Sequence, residues 1–159
     1  MDQKTIFIQM AMAAWRTQLN RCTQLVDELT DEKWMNEIAP GKNRGIYLVG
    51  HLAAVHDSMS DILGTGKPQY PELRQIFLQM PDRQAEKIPS VADLRKVWTS
   101  VNARLASEFS AVPEAEWFNR HQAMSDEDFA KDPSRNKLNV LINRTNHLAY
   151  HLGQLRLLK

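Results

Sequence analysis

Two histidines one helical turn apart are the residues of this sequence best placed to do chemistry. His147 and His151 stand at i and i+4 in NRTNHLAYHLGQLRLLK, residues 143–159, within a run that reads as helix from about Leu138 onward. Side chains at that spacing lie one above the other on a single face, so both imidazoles can reach one metal ion. An earlier stretch, GHLAAVHD at 50–57, again places a histidine, His51, before Leu-Ala in an apolar helical run. Three imidazoles from two helices would supply three neutral nitrogen ligands and leave zinc, nickel or iron(II) one or more open positions for water or substrate. The single Cys22 cannot build a thiolate cage, and the paired Glu-x-x-His motifs of a di-iron carboxylate bundle are missing from the sequence.

With Leu141 at zero and about 100° per residue, Leu148, Leu152 and Leu155 fall within about 40° of it, while His151 and His147 lie about 80° and 120° to one side. They flank the core stripe together with Val140 and Arg144, where side chains line a cleft at the edge of a helical core. His51, one turn after Tyr47, is a flanking position too. The competing reading is plain: histidines on a helix flank are commonly hydrogen-bonded edge residues, and i,i+4 pairs also arise by chance. His56 and His121 read as surface residues or as neighbours of the ligands. Arg144 reads as a residue that makes a salt bridge or reaches solvent, the sharper alternative being that it offers positive charge to an anionic substrate or thiolate beside the metal. Trp15, Trp34, Trp98 and Trp117 read as core or end plugs, and Tyr150 and Leu157 as cover for a dimer interface.

The elements that must position these residues fit one domain, 1–159, all-α. Lysine plus arginine balance aspartate plus glutamate at 20 against 19, so no net field favours nucleic acid. One cysteine rules out an internal disulfide and suits a reducing compartment. The N-terminal stretch is interrupted by Gln9, Arg16 and Gln18, reads as a first helix rather than a signal, and no run approaches the ~20 apolar residues of a membrane span. A cytoplasmic protein with no membrane partner is expected.

Apolar residues at helical spacing predict helices over roughly Lys4 to Asp27, Asn43 or Arg44 to Leu63 with Gly64 as its stop, and a third capped at Ser90 that ends near Ser110. Thr30 caps a short helix through Trp34. The Pro-rich connection from Gly64 to Pro89, with a helical segment over Glu72 to Gln79, is a candidate lid or pocket wall, and His121 to Asn136 is a second crossover. An acidic turn ending in tryptophan follows both the first and third long helices, at Trp34 and Trp117. The pattern suggests an internal duplication in which His51 is the counterpart of His147 and Val55 that of His151. Two long crossovers then imply that the first two helices run parallel and the last two run back.

GHLAAVHD together with HLAYHLGQ resembles the DinB-like superfamily, which includes YfiT-type metal hydrolases and thiol-dependent S-transferases. His147, His151, Gly153 and Gln154 fit its late motif, His51 its earlier ligand, and the turns at Trp34 and Trp117 extend the likeness over nearly the whole chain. The resemblance implies a four-helix bundle of up-up-down-down connectivity, usually homodimeric, holding nickel, zinc or another divalent ion such as iron or manganese on His51, His147 and His151. It implies chemistry in which a low-molecular-weight thiol such as bacillithiol or mycothiol, or water, is activated against a small-molecule substrate, with Arg144 or Tyr47 orienting the acceptor. Two alternatives stay open: a metal-dependent hydrolase, and a non-catalytic dimeric binding or stress-response module.

Overall fold

The computed structural model describes residues 2–159, and its regular elements are helices. They are α1 (Gln3–Glu28), α2 (Asp31–Met35), α3 (Gly45–Leu63), α4 (Glu72–Arg74, continued by a π turn, Gln75–Gln79), α5 (Val91–Ala111), α6 (Asp126–Lys131) and α7 (Lys137–Leu155). Short 3₁₀ turns at Glu114–Phe118 and Arg156–Leu158 complete the set. Helix starts follow side-chain capping. The hydroxyl of Thr30 accepts from the Lys33 N–H, that of Ser90 from Asp93, that of Ser125 from Asp128, and the Asn136 side chain from Asn139, each satisfying a backbone donor the helix leaves unpaired. Gly64 ends α3 in the left-handed region, φ +71°, where glycine has no Cβ to strain. The short helix α6 lies inside the polar stretch that reads as a plain crossover, and Ser125 starts it.

Helix directions follow from which ends touch. Thr5 Oγ1 donates to Glu114 at 2.7 Å, and Arg95 donates to the Val26 and Leu29 carbonyls, so α1 and α5 run antiparallel. The bond between His56 and Asn102, with those of Asp57 to Arg104 and Thr65 to Glu108, makes α3 and α5 parallel. Lys159 pairs with Glu28 at 2.5 Å, which sets α7 alongside α1 in the same sense. Leu158 closes on the start of α3 at Gly45, so α3 and α7 are antiparallel. The order is therefore up, down, down, up. The parallel run of the first two helices expected from sequence is corrected here: the segment between α1 and α3 returns to the end it left, because the Gly45 N–H donates to the Asn36 carbonyl at 3.0 Å just beyond α2. The one crossover spanning the length of the fold is 64–90.

The duplication has a structural counterpart. Asn36 and Asn119, each two residues past a buried tryptophan, accept from the first residue of the next long helix, Gly45 and Lys137, both at 3.0 Å. Isolated bridges Glu37–Arg44 and Arg120–Asn136 stand beside these bonds. Aligning those helix starts pairs His147 with Val55 and His151 with Met59, and leaves His51 opposite Asn143. The two His-Leu-Ala strings are thus one turn out of step, and the positions related to the trio by the repeat, Asn143, Val55 and Met59, form no second histidine cluster. The core is built from Trp34, Trp98 and Trp117 with Phe77 and leucines from every long helix, each such side chain contributing roughly 1.5–3 kcal/mol by burial.

Candidate metal centre

His51 on α3 meets His147 and His151 on α7 where those antiparallel helices face each other. The Nε2 atoms of His51 and His151 each lie 3.1 Å from Nε2 of His147, and one ligand atom from each residue falls within 4.8 Å of the others. All three side chains are half-buried.

The outer nitrogens determine what the inner ones can do. A carbonyl only accepts, so His51 Nδ1–H donates to the Phe77 carbonyl at 2.9 Å and its Nε2 carries the lone pair. His151 Nδ1 is 2.7 Å from Gln154 Oε1, and the amide nitrogen of Gln154 donates to the Tyr150 hydroxyl. That orientation makes Gln154 the acceptor and again leaves Nε2 as the lone-pair atom. His147 Nδ1 is buried without a protein partner. Burial first, then the neighbouring imidazoles and Arg144, bring His147 down to about 4. Burial likewise lowers His151, against the Gln154 hydrogen bond.

Neutral imidazoles with inward lone pairs are the form that binds metal, and acceptors behind the ligands are the usual support of metal-bound histidine. Nitrogens about 2.0–2.1 Å from an ion stand roughly 2.9 Å apart in octahedral and 3.3 Å in tetrahedral geometry. The two 3.1 Å spacings about His147 fall between these values, and the three ligand atoms all lie within 4.8 Å of one another, so the donor set suits a divalent ion.

Local packing explains why His51 points this way. Gly50 lets the Phe77 ring approach so closely that a Cβ there would lie 2.4 Å from it, and this brings the Phe77 carbonyl over His51. Tyr47 stacks on His51, 6.4 Å between ring centres, and donates its hydroxyl hydrogen to the Met80 carbonyl at 2.8 Å. Its hydroxyl thus holds the 77–80 segment in place. The segment is also tied at its ends. The Asp57 carboxylate accepts from the Gln69 and Tyr70 N–H groups and from Arg104, while Asp82 takes Arg44 through both side-chain and backbone nitrogens. The 64–89 connection expected to wall a pocket therefore forms one side of the histidine cluster. Arg144 stands one turn before His147 on α7.

His56 departs from its expected surface position: it is fully buried, with Nδ1 2.8 Å from Asn102 Oδ1 and its ring between Trp15 and Trp98. Burial holds it down to about 3 although the Asn102 bond favours the charged form. It is neutral in the fold, whereas the unfolded chain takes up a proton near 6.5. The associated stability is complete above about pH 6.5 and is lost as pH falls toward 3. In urea unfolding between about pH 6 and 4, the wild type should lose on the order of 1 kcal/mol per pH unit more than His56→Gln; parallel curves would refute this. His121 is half-buried beside the C-terminal end of α3, where the next residue, Gln122, donates to the Ile62 carbonyl, away from the cluster.

Gly50, the Phe77 carbonyl and Asp57 are parts of the site that residue types at ligand spacing do not reveal. A glycine inside a helix, unfavourable by about 1 kcal/mol against alanine, was the one available signal of a close approach.

No curated protein sequence matches the chain at a significant level. The sequence model of the DinB superfamily matches residues 14–155, a span that runs from the first long helix through all three histidines, and the chain belongs to that superfamily.

Proposed function

We propose that this chain is a metal-dependent enzyme of the thiol S-transferase type, with nickel, zinc, iron or manganese held by His51, His147 and His151. The observation that carries the reading is the convergence of three Nε2 atoms, two of which, in His51 and His151, turn a lone pair inward because their outer Nδ1 atoms are committed to acceptors. A divalent ion there would lower the pKa of a thiol or water at an open position. The protein's share is orientation: Phe77 and Gln154 fix two imidazoles, and the Tyr47–Met80 bond fixes the wall beside them.

Thiol chemistry is favoured over hydrolysis by the starting acidities, since water must be brought down from about 15.7 before it is a nucleophile near neutral pH. A thiol starts near 8.5 and needs only a modest shift. We read the four long helices as a four-helix bundle of up-down-down-up connectivity. The chain is further proposed to act as a cytoplasmic homodimer on a small molecule, with exposed Tyr150 and Leu157 at the interface. No described helix is long and apolar enough to cross a membrane.

The test is conjugation of monochlorobimane to a panel of low-molecular-weight thiols by zinc- or nickel-loaded protein. Turnover that requires both metal and thiol, and is absent in His147→Ala, is expected. Metal-dependent cleavage of activated esters without thiol would replace transferase by hydrolase. Silence in both assays would leave a binding module.

A further inference from the structure

Arg144 is a cation without a protein counter-charge. Among the described residues it takes part in no hydrogen bond and no ion pair, and its Nε is buried with no partner. Burial alone accounts for the downward pull on its pKa, with no carboxylate opposing it. The other well-covered arginines of the core are treated differently. Arg44 is held by Asp82 at 2.7 Å and Arg104 by Asp57 at 2.8 Å. The buried Nε–H edge of a guanidinium left without an acceptor is unfavourable, and an anion that met it would relieve the cost.

Its position gives that cation a use. Arg144, His147 and His151 fall at i, i+3 and i+7 on α7, one continuous strip. The Arg144 charge is felt at His147, and no acidic group contributes at His147 or His151. The three ligands are neutral, so a bound divalent ion would keep its full charge. Ion and guanidinium together make a positive site with no nearby acid to balance it. Such a field favours an anion, and the planar fork of arginine matches a carboxylate through two parallel hydrogen bonds.

We propose that Arg144 is the anion-recognition residue of the three-histidine site, so that the thiol or acceptor bound there carries a carboxylate or comparable anionic group reaching one helical turn toward the N-terminus of α7. The inference rests on the metal-site reading above and adds the substrate class to it.

The test uses 3-mercaptopropionate and 2-mercaptoethanol, the same sulfur with and without a carboxylate. Calorimetric titration of zinc-loaded wild type, Arg144→Gln and Arg144→Lys gives the affinity ratio. The wild type should prefer the carboxylate thiol, and Arg144→Gln should reduce that preference about tenfold while moving 2-mercaptoethanol by less than about twofold. Arg144→Lys should recover part of the preference. A preference that survives Arg144→Gln comes from the ion alone and overturns the proposal. A second readout needs no metal: the Nε–H resonance of Arg144, identified by its loss in Arg144→Gln, should shift with 3-mercaptopropionate and not with 2-mercaptoethanol in metal-free protein. Failure to take up zinc would defeat the metal reading, while the metal-free titration still decides Arg144. No shift there would overturn the anion site.

Discussion

Replacing Asp57 by alanine is expected to destabilise the protein by about 3–5 kcal/mol, the usual loss when one partner of a buried ion pair is removed. Asp57 is 2 % exposed, and its two oxygens serve three donors: the Arg104 guanidinium at 2.8 Å and the backbone N–H groups of Gln69 and Tyr70 at 2.9 and 2.8 Å. Truncation leaves two amides without acceptors and takes the buried carboxylate from a guanidinium that keeps only backbone carbonyls, among them that of Lys67, and the more distant Glu108 at 3.7 Å. Those amides begin the segment that carries Leu73 and Phe77 into the core, so the loss should not stay local. Hydrogen exchange over residues 72–80 should speed up more than over α7, and urea unfolding should give the free-energy change. A loss below about 1 kcal/mol would mean that the connection is held by Leu73 and Phe77 burial alone.

Gly50→Ala is expected to cost about 1–3 kcal/mol, the range for overpacking a filled core, although alanine in an open helix would gain about 0.5–1 kcal/mol over glycine. The sign is decided by Phe77. It is fully buried, its ring would stand 2.4 Å from the new methyl, and its backbone bears the carbonyl that His51 uses. The ring cannot withdraw without moving that acceptor. Metal affinity should therefore fall along with stability, by roughly 10–100-fold as for other losses of a hydrogen bond behind a ligand. Competition against a chromophoric zinc chelator measures the first effect and thermal unfolding the second. A stabilised variant with unchanged affinity would show that Phe77 does not set the His51 geometry.

Helix ends were legible in the sequence because their causes are side chains of recognisable type: Thr30, Ser90 and Gly64 act where those residues are expected to act. The His147–His151 pair was legible because i,i+4 spacing fixes a shared face whatever the tertiary fold. Helix direction was not. Connection length alone does not say whether a segment crosses the fold or returns, and the Asn36–Gly45 bond that turns the first one back is a backbone contact.

The repeated His-Leu-Ala string suggests that His51 and His147 are repeat counterparts, whereas the helix starts place them a turn apart. The burial of His56 is hidden from the sequence for a related reason. Most of α3 is buried, on nearly every face, so no amphipathic pattern marks which of its polar residues lies inside. The Phe77 carbonyl, the acceptor that orients His51, is backbone, and sequence carries no trace of it.

Metal content of protein purified without a histidine tag, in parallel with His147→Ala, tests the three-histidine site most directly. His147 is the one residue whose Nε2 lies 3.1 Å from both other ligands, so its removal should undo the cluster and leave the fold standing. About one divalent ion per chain in the wild type, with background levels in the folded variant, is the predicted result. Wild-type protein that holds no metal and takes up none when nickel, zinc, iron and manganese are added in turn would contradict it.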